Sequence, residues 1–257
     1  MTVTASTPTD RVRGTTILDF RDVAMTFPDG TTALAGVDLT VARGEFVSVV
    51  GPSGCGKSTL LRIASGLEQV TEGDMTADTK RIGYVFQDAT LLPWRDVSAN
   101  VELLAELHGI PKAERKAKAK LAIDLVGLTG FEKHLPRALS GGMRMRASLA
   151  RSLTLDPELF LFDEPFGALD EITRERLNDE LVRLYTEKQF GALFITHSVS
   201  EAVYLSTKVV VMSGRPGRIV ATFEVPFPLP RDPDLRFTAE YAELVGAVSH
   251  ALRGDHS

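Results

Sequence analysis

Apolar and polar positions change their period several times along this chain, and each change marks an element. From Ile17 the stretches ILDFRDVAMTF and VDLTV alternate, separated by the turn-forming Pro28-Asp29-Gly30, as antiparallel strands do. FVSVV (46–50) is instead an apolar, β-branched run that leads through a glycine-rich turn into TLLRIAS, and reads as a buried strand followed by a helix. The same order recurs twice. LFLFD (159–163) precedes a periodic segment from about Ile172 to Thr186, and ALFIT (192–196) precedes Ser198 to Leu205, where Ser198 and Glu201 have the spacing of a capping box. KVVVM (208–212) and RIVATF (218–223) add further strands. Strands alternating with helices predict a largely parallel sheet covered on both faces.

From about Leu91 to Leu155 β-branched runs almost vanish, and VSANVELLAEL and ERKAKAKLAIDLVGL carry apolar residues at helical spacing. The Ala/Lys-rich stretch 112–120 reads as a solvated helix face. Residues 1–15, rich in Thr, Ser and Pro, are expected to be a disordered tail, and the segment after PFPLPRDPD an appended helical arm, 231–257. The body between them, 16–230, has no apparent repeat.

Composition narrows the field. The chain has 257 residues, 44% of them hydrophobic and 25% charged, which are ordinary globular values. Lys and Arg number 29 against 34 Asp and Glu, a net charge of -5, so no general basic field exists to hold nucleic acid, and an anion must be bound locally. The longest stretch free of charged residues, Gln189 to Ser200, is twelve residues, short of the roughly 20 that span a bilayer. Cys55 is the single cysteine and the N-terminus lacks the features of a signal peptide, so a reducing cytoplasm is expected.

Four places along the chain carry chemistry. Gly51-Pro52-Ser53-Gly54-Cys55-Gly56-Lys57-Ser58 fits the phosphate-loop pattern G-x-x-x-x-G-K-[ST], placed between a strand and a helix as that pattern requires, with Thr59 following. Backbone amides and the helix dipole would hold phosphates, Lys57 would reach the β and γ oxygens, and the Ser58 hydroxyl would ligate Mg²⁺. Asp163, at the end of an apolar strand, is a second metal candidate at the carboxyl edge of the sheet, and Glu164 the group that polarises an attacking water, although an Asp-Glu pair there also fits a plain helix start. His197 leaves the next strand at the same edge, where a γ-phosphate contact competes with a purely structural role. Leu139-Ser140-Gly141-Gly142-Met143 opens another helix with a bare, anion-suited N-terminus.

Taken in order, the phosphate loop, Gln87 after RIGYVF, LSGGM, LFLFDEP, Ala168-Leu169-Asp170 and His197 resemble the nucleotide-binding subunit of ATP-binding cassette transporters, from about Ile17 to Phe223. The resemblance implies an α/β phosphate-loop ATPase core, with an N-terminal antiparallel β subdomain and an inserted helical subdomain at 91–155. It implies ATP and Mg²⁺ as cofactors, Phe27 stacked on adenine, Gln87 joining Mg²⁺ and water to the membrane subunit, and Asp170 in a loop joining two sites. Ser140, Gly141 and Gly142 would cap the γ-phosphate held by a partner copy, in a head-to-tail homodimer with two mixed sites. Met143 departs from the Gln common at that place. Two permease subunits, a separate extracytoplasmic solute-binding protein and a peripheral place on the cytoplasmic face of the membrane follow from the same resemblance, with no nucleic-acid partner.

Leu91-Leu-Pro-Trp94 and Ser213-Gly-Arg-Pro-Gly-Arg-Ile219 look like the nitrate, sulfonate, taurine and pyrimidine-precursor importers. Trp94, the only Trp, is expected either to meet the permease or to pack between helices. A second class remains open, a cassette ATPase not coupled to transport, such as one in iron-sulfur assembly. Cys55, at a helix N-terminus beside Lys57, is expected to be a reactive thiol shielded by nucleotide, unless it packs beneath the loop.

Overall fold

The computed structural model describes residues 15–254, so most of the expected N-terminal tail, residues 1–14, lies outside the described residues. Strands β1 (Thr16–Thr26) and β2 (Thr32–Ala42) pair antiparallel, as their alternation predicts, and β3 (Phe46–Val50) runs into helix α1 (Lys57–Ala64). β4 (Glu72–Ala77) then completes a three-stranded sheet in the order β2-β1-β4. Its sequence EGDMTA gives no apolar alternation because no residue of this edge strand is fully buried.

After β5 (Ile82–Val85) comes the helical region, with α2 (Val97–Leu107), α3 (Lys112–Leu125) and α4 (Gly141–Leu153). α2 is capped by Asp96, whose carboxylate accepts from the Ala99 amide at 2.8 Å. α3 buries only Ala119, Ala122 and Ile123 and leaves its lysines on the outer face, as its composition predicts. The chain then returns through β6 (Leu159–Asp163), α5 (Glu171–Lys188), β7 (Gly191–Ile195), α6 (Val199–Leu205), β8 (Lys208–Met212) and β9 (Ile219–Glu224). The main sheet has the order β5-β6-β7-β3-β8-β9, parallel except for β9, which turns back against β8.

Alternation within the buried strands builds two cores. Leu159 and Leu161 of β6 join Val47, Val49, Leu193 and Ile195 on the face covered by α1 and the antiparallel sheet. Phe160 and Phe162 join Phe46, Phe194 and Tyr185 on the opposite, helix-covered face. There Phe46 meets Tyr185 edge to face, with ring centroids 5.2 Å apart. With both faces covered, chemistry is left to the carboxyl ends of the strands.

The C-terminal segment ends in α7 (Ala239–Gly254) and packs onto the domain. Tyr241 and Val248 are buried, the Tyr241 hydroxyl donates to the Ser200 carbonyl at 2.6 Å, and the buried Arg231 guanidinium binds the Ser206 carbonyl at 2.7 Å. No helix among the described residues is long and apolar enough to cross a membrane.

Candidate functional site

Parallel register sets the site. Asp163 at the end of β6 lies level with Ile195 of β7, and Val49 of β3 lies level with the same residue, so the loops after all three strands open at one edge. After β3 the chain turns through Gly51–Gly56 into α1. Gly56 holds φ 105°, and a Cβ there would stand 2.7 Å from the Ala33 carbonyl oxygen, so only glycine fits. No side chain caps α1, which leaves its first amides and its dipole to an anion.

The loop opens on a cleft of about 330 Å³ lined by Phe27, Thr31, Ala33, Ser53, Gly54, Gly56, Lys57, Ser58, Thr59, Gln87, Glu164 and Arg215. The buried Lys57 ammonium donates to the carbonyls of Gly51 (2.8 Å) and Pro52 (2.9 Å), with Glu164 Oε1 at 4.0 Å. Ser58 Oγ donates to Asp163 Oδ1 at 2.9 Å, although β7 separates their strands. Burial raises the Asp163 carboxyl above the usual range, opposed by the Ser58 hydrogen bond. A partly buried carboxylate that touches a hydroxyl, and that has no ion pair among the described residues, is a donor set that suits a hard divalent cation such as Mg²⁺.

Glu164 has φ 46°, a left-handed conformation that costs a non-glycine residue about 1–3 kcal/mol. Its amide donates to the Ile195 carbonyl at 3.0 Å and its carbonyl accepts from Gly167 at 3.1 Å, which fixes the kink and brings its carboxylate to the wall of the cleft. His197 Nδ1 stands 3.4 Å from Glu164 Oε2, with just over half of the side chain exposed. The structure therefore brings together the phosphate loop, Gln87, Asp163, Glu164 and His197, with Phe27 also lining the cleft.

Ser140, Gly141 and Gly142 are not among the residues lining that cleft. Ser140 caps α4 by accepting from the Met143 amide at 3.2 Å, and an added Cβ on Gly141 or Gly142 would meet Leu169 (3.2 Å) or Thr173 (2.9 Å). Asp170 caps α5 through the Thr173 amide at 3.0 Å. The Ser140–Gly142 turn and the Asp170 loop thus form one packed unit outside the residues lining the phosphate cleft.

Several expectations change. The Cys55 side chain is 1% exposed and its Sγ lies beneath Gly51, since a Cβ on that glycine would come within 2.9 Å of it. Burial pushes the thiol up despite the opposing Lys57 charge, so the structure favours the alternative in which Cys55 packs beneath the loop. Any contact of Cys55 with phosphate is left to its backbone. Trp94 is 74% exposed, which removes the helix-packing alternative. Ser198 caps α6 through the Glu201 amide at 3.3 Å, but Glu201 does not complete the capping box, because its carboxylate is bound by the Thr196 hydroxyl.

The sequence reading missed two neighbours of the site. Arg215 lines the cleft and donates to the Gly54 carbonyl at 3.1 Å, and Tyr84 donates to Asp163 Oδ2 at 3.4 Å. The basic turn Arg-Pro-Gly-Arg was a signal for the first. A larger cleft of about 370 Å³ lies at the opposite edge of the sheet, but its Arg43, Arg81 and Lys118 are already ion-paired with Glu158 and Asp156.

Residues 34–167 match the family model described as ABC transporter. An uncharacterized ABC transporter ATP-binding protein of Methanocaldococcus jannaschii is 46% identical over 230 residues, 87% of this chain and 85% of that protein. The aliphatic sulfonates import ATP-binding protein SsuB 1 of Xanthomonas axonopodis is 45% identical over 207 residues, 77% of this chain and 82% of that protein. Among solved structures, the dimeric ATP-binding cassette MJ0796, in a post-hydrolysis state bound to ADP and Pi, superposes with a TM-score of 0.71 at 30% identity, covering 82% of this chain and 100% of the other. The chain belongs to the ABC transporter family as an ATP-binding subunit, and its cassette binds and hydrolyses ATP.

Proposed function

We propose that this chain is the ATPase subunit of an importer for a small anion of the sulfonate, taurine or nitrate class. It works as a head-to-tail homodimer beneath two permease subunits on the cytoplasmic face of the membrane, with a separate extracytoplasmic protein delivering the solute. The observation that carries the composite site is the division of its parts: the phosphate loop and Glu164 share one cleft, and the Ser140–Gly142 signature stands outside it. The dimeric cassette among the structural neighbours supports the same arrangement. The sulfonate-import relatives, and an exposed Trp94 a few residues beyond Gln87, favour transport over an uncoupled ATPase.

Phe27 stacks on adenine, and the loop amides with Lys57 hold the phosphates, the ammonium exchanging its two carbonyl partners for phosphate oxygens. Ser58, Asp163 and Gln87 hold Mg²⁺, which when bound neutralises phosphate charge. Glu164 polarises the attacking water, His197 contacts the γ-phosphate, and Asp170 connects the two sites.

Glu164→Gln is expected to bind ATP but lower hydrolysis by about 10²–10⁴-fold. Because ATP then persists between the copies, the variant forms an ATP-dependent dimer on size-exclusion chromatography. Near-normal turnover would remove Glu164 from that role. The transport reading is tested by purifying a tagged chain from detergent-solubilised membranes: a multi-helix membrane protein is expected with it, and recovery of soluble partners alone would favour the uncoupled class.

A further inference from the structure

The turn that presents His197 is held from behind by a buried polar chain. Thr196, 2% exposed, follows β7, and its hydroxyl accepts from the Ser198 amide at 3.0 Å, bridging across His197. The same hydroxyl donates to Glu201 Oε2 on the first turn of α6. Glu201 is itself 6% exposed, touches Asn178 of α5 and lies within reach of the Arg174 charge. Its second oxygen, Oε1, and Asn178 Oδ1 are buried without a hydrogen-bond partner.

Burying a carboxyl with one oxygen unmatched is costly, and an apolar side chain would fill the same place without that cost. What Glu201 supplies that an apolar residue cannot is an acceptor for Thr196. His197 needs this support, because its ring is just over half exposed and the polar side chain it meets in the cleft, Glu164, stands at 3.4 Å. The backbone on either side of it must therefore set where the imidazole points.

We propose that Glu201 is a positioning residue, which through the Thr196 hydroxyl fixes the turn that presents His197 to the phosphate cleft. The proposal rests on the reading of His197 as a γ-phosphate contact. Acceptor capacity rather than charge is what the turn requires, so an amide in place of the carboxyl serves as well.

The test is steady-state ATP hydrolysis by the full chain, with thermal unfolding run alongside. Thr196→Val and Glu201→Ala are expected to lower kcat by about 10- to 100-fold, with the KM for ATP within about twofold. Thr196→Ser and Glu201→Gln restore it, and neither Val nor Ala lowers kcat further in a His197→Ala background. An unchanged kcat in Thr196→Val and Glu201→Ala, while His197→Ala is impaired, would overturn the positioning role alone. An unchanged kcat in His197→Ala would overturn the reading of that histidine and the positioning role with it. If either truncated variant fails to fold, Thr196→Ala or Glu201→Met takes its place in the His197→Ala comparison: equal losses with and without His197 contradict the proposal.

Discussion

The chain contains two glycine-rich helix starts that look alike in sequence and differ in structure. At α1 the cap is Gly56 in a left-handed conformation, no side chain fills the cap, and the loop before it opens on the cleft. At α4 the cap is Ser140, its own hydroxyl takes the Met143 amide, and Gly141 and Gly142 lie close to Leu169 and Thr173. The first leaves the opening amides of α1 uncapped beside the cleft, as a phosphate cradle requires. The second is a self-capped edge packed against Leu169 and Thr173. The proposed head-to-tail site assigns the two helix starts to opposite halves, the first holding phosphate and the second closing over the phosphate of another copy.

Substitution at the two glycines should separate these roles. Gly56→Ala is the most damaging, because the new methyl meets the Ala33 carbonyl at 2.7 Å and the Leu34 side chain at 2.8 Å in a backbone conformation that alanine resists. It is expected to abolish ATP binding by one copy, measured by equilibrium titration with a fluorescent ATP analogue. At Gly142 the new methyl meets the Thr173 methyl at 2.9 Å within an ordinary helix, so ATP binding to one copy survives and ATP-dependent pairing weakens. Equal loss of binding in both variants would erase the distinction.

The smallest effect concerns Cys55, on the phosphate-loop side of the comparison. Its thiol packs beneath Gly51 and burial raises its pKa, so maleimide should label the folded chain slowly and at the same rate with or without Mg-ATP, as read by intact mass. Fast labelling that ATP suppresses would place the sulfur in the cleft after all.

The phosphate loop, Asp163, Glu164 and His197 were legible because each follows a strand whose apolar run is unambiguous, and parallel strands deliver their loops to one edge. β4 was not, since none of its residues is fully buried and its pairing with β1 is a tertiary fact. Cys55 was misjudged for a related reason: Gly56 and Lys57 beside it are visible in the sequence, but the direction of its side chain is set by the turn. The capping box at Ser198 failed because Thr196, two residues upstream, competes for both the Ser198 amide and the Glu201 carboxylate. Arg215 reaches the cleft from a turn more than 150 residues beyond the loop it touches, so its basic turn is visible in the sequence but its partner is not.

The central claim is that each complete site joins the phosphate loop of one copy to the Ser140–Gly142 signature of the other. Lys57→Ala and Ser140→Arg should each disable both sites of their own homodimers while damaging opposite halves. Mixing the two variants produces heterodimers in which one site carries both defects and the other carries none. ATP-dependent association, followed by light scattering, is predicted to return on mixing, with some hydrolysis alongside it unless the two sites fire only as a coupled pair. Recovery of neither association nor hydrolysis would contradict the head-to-tail site.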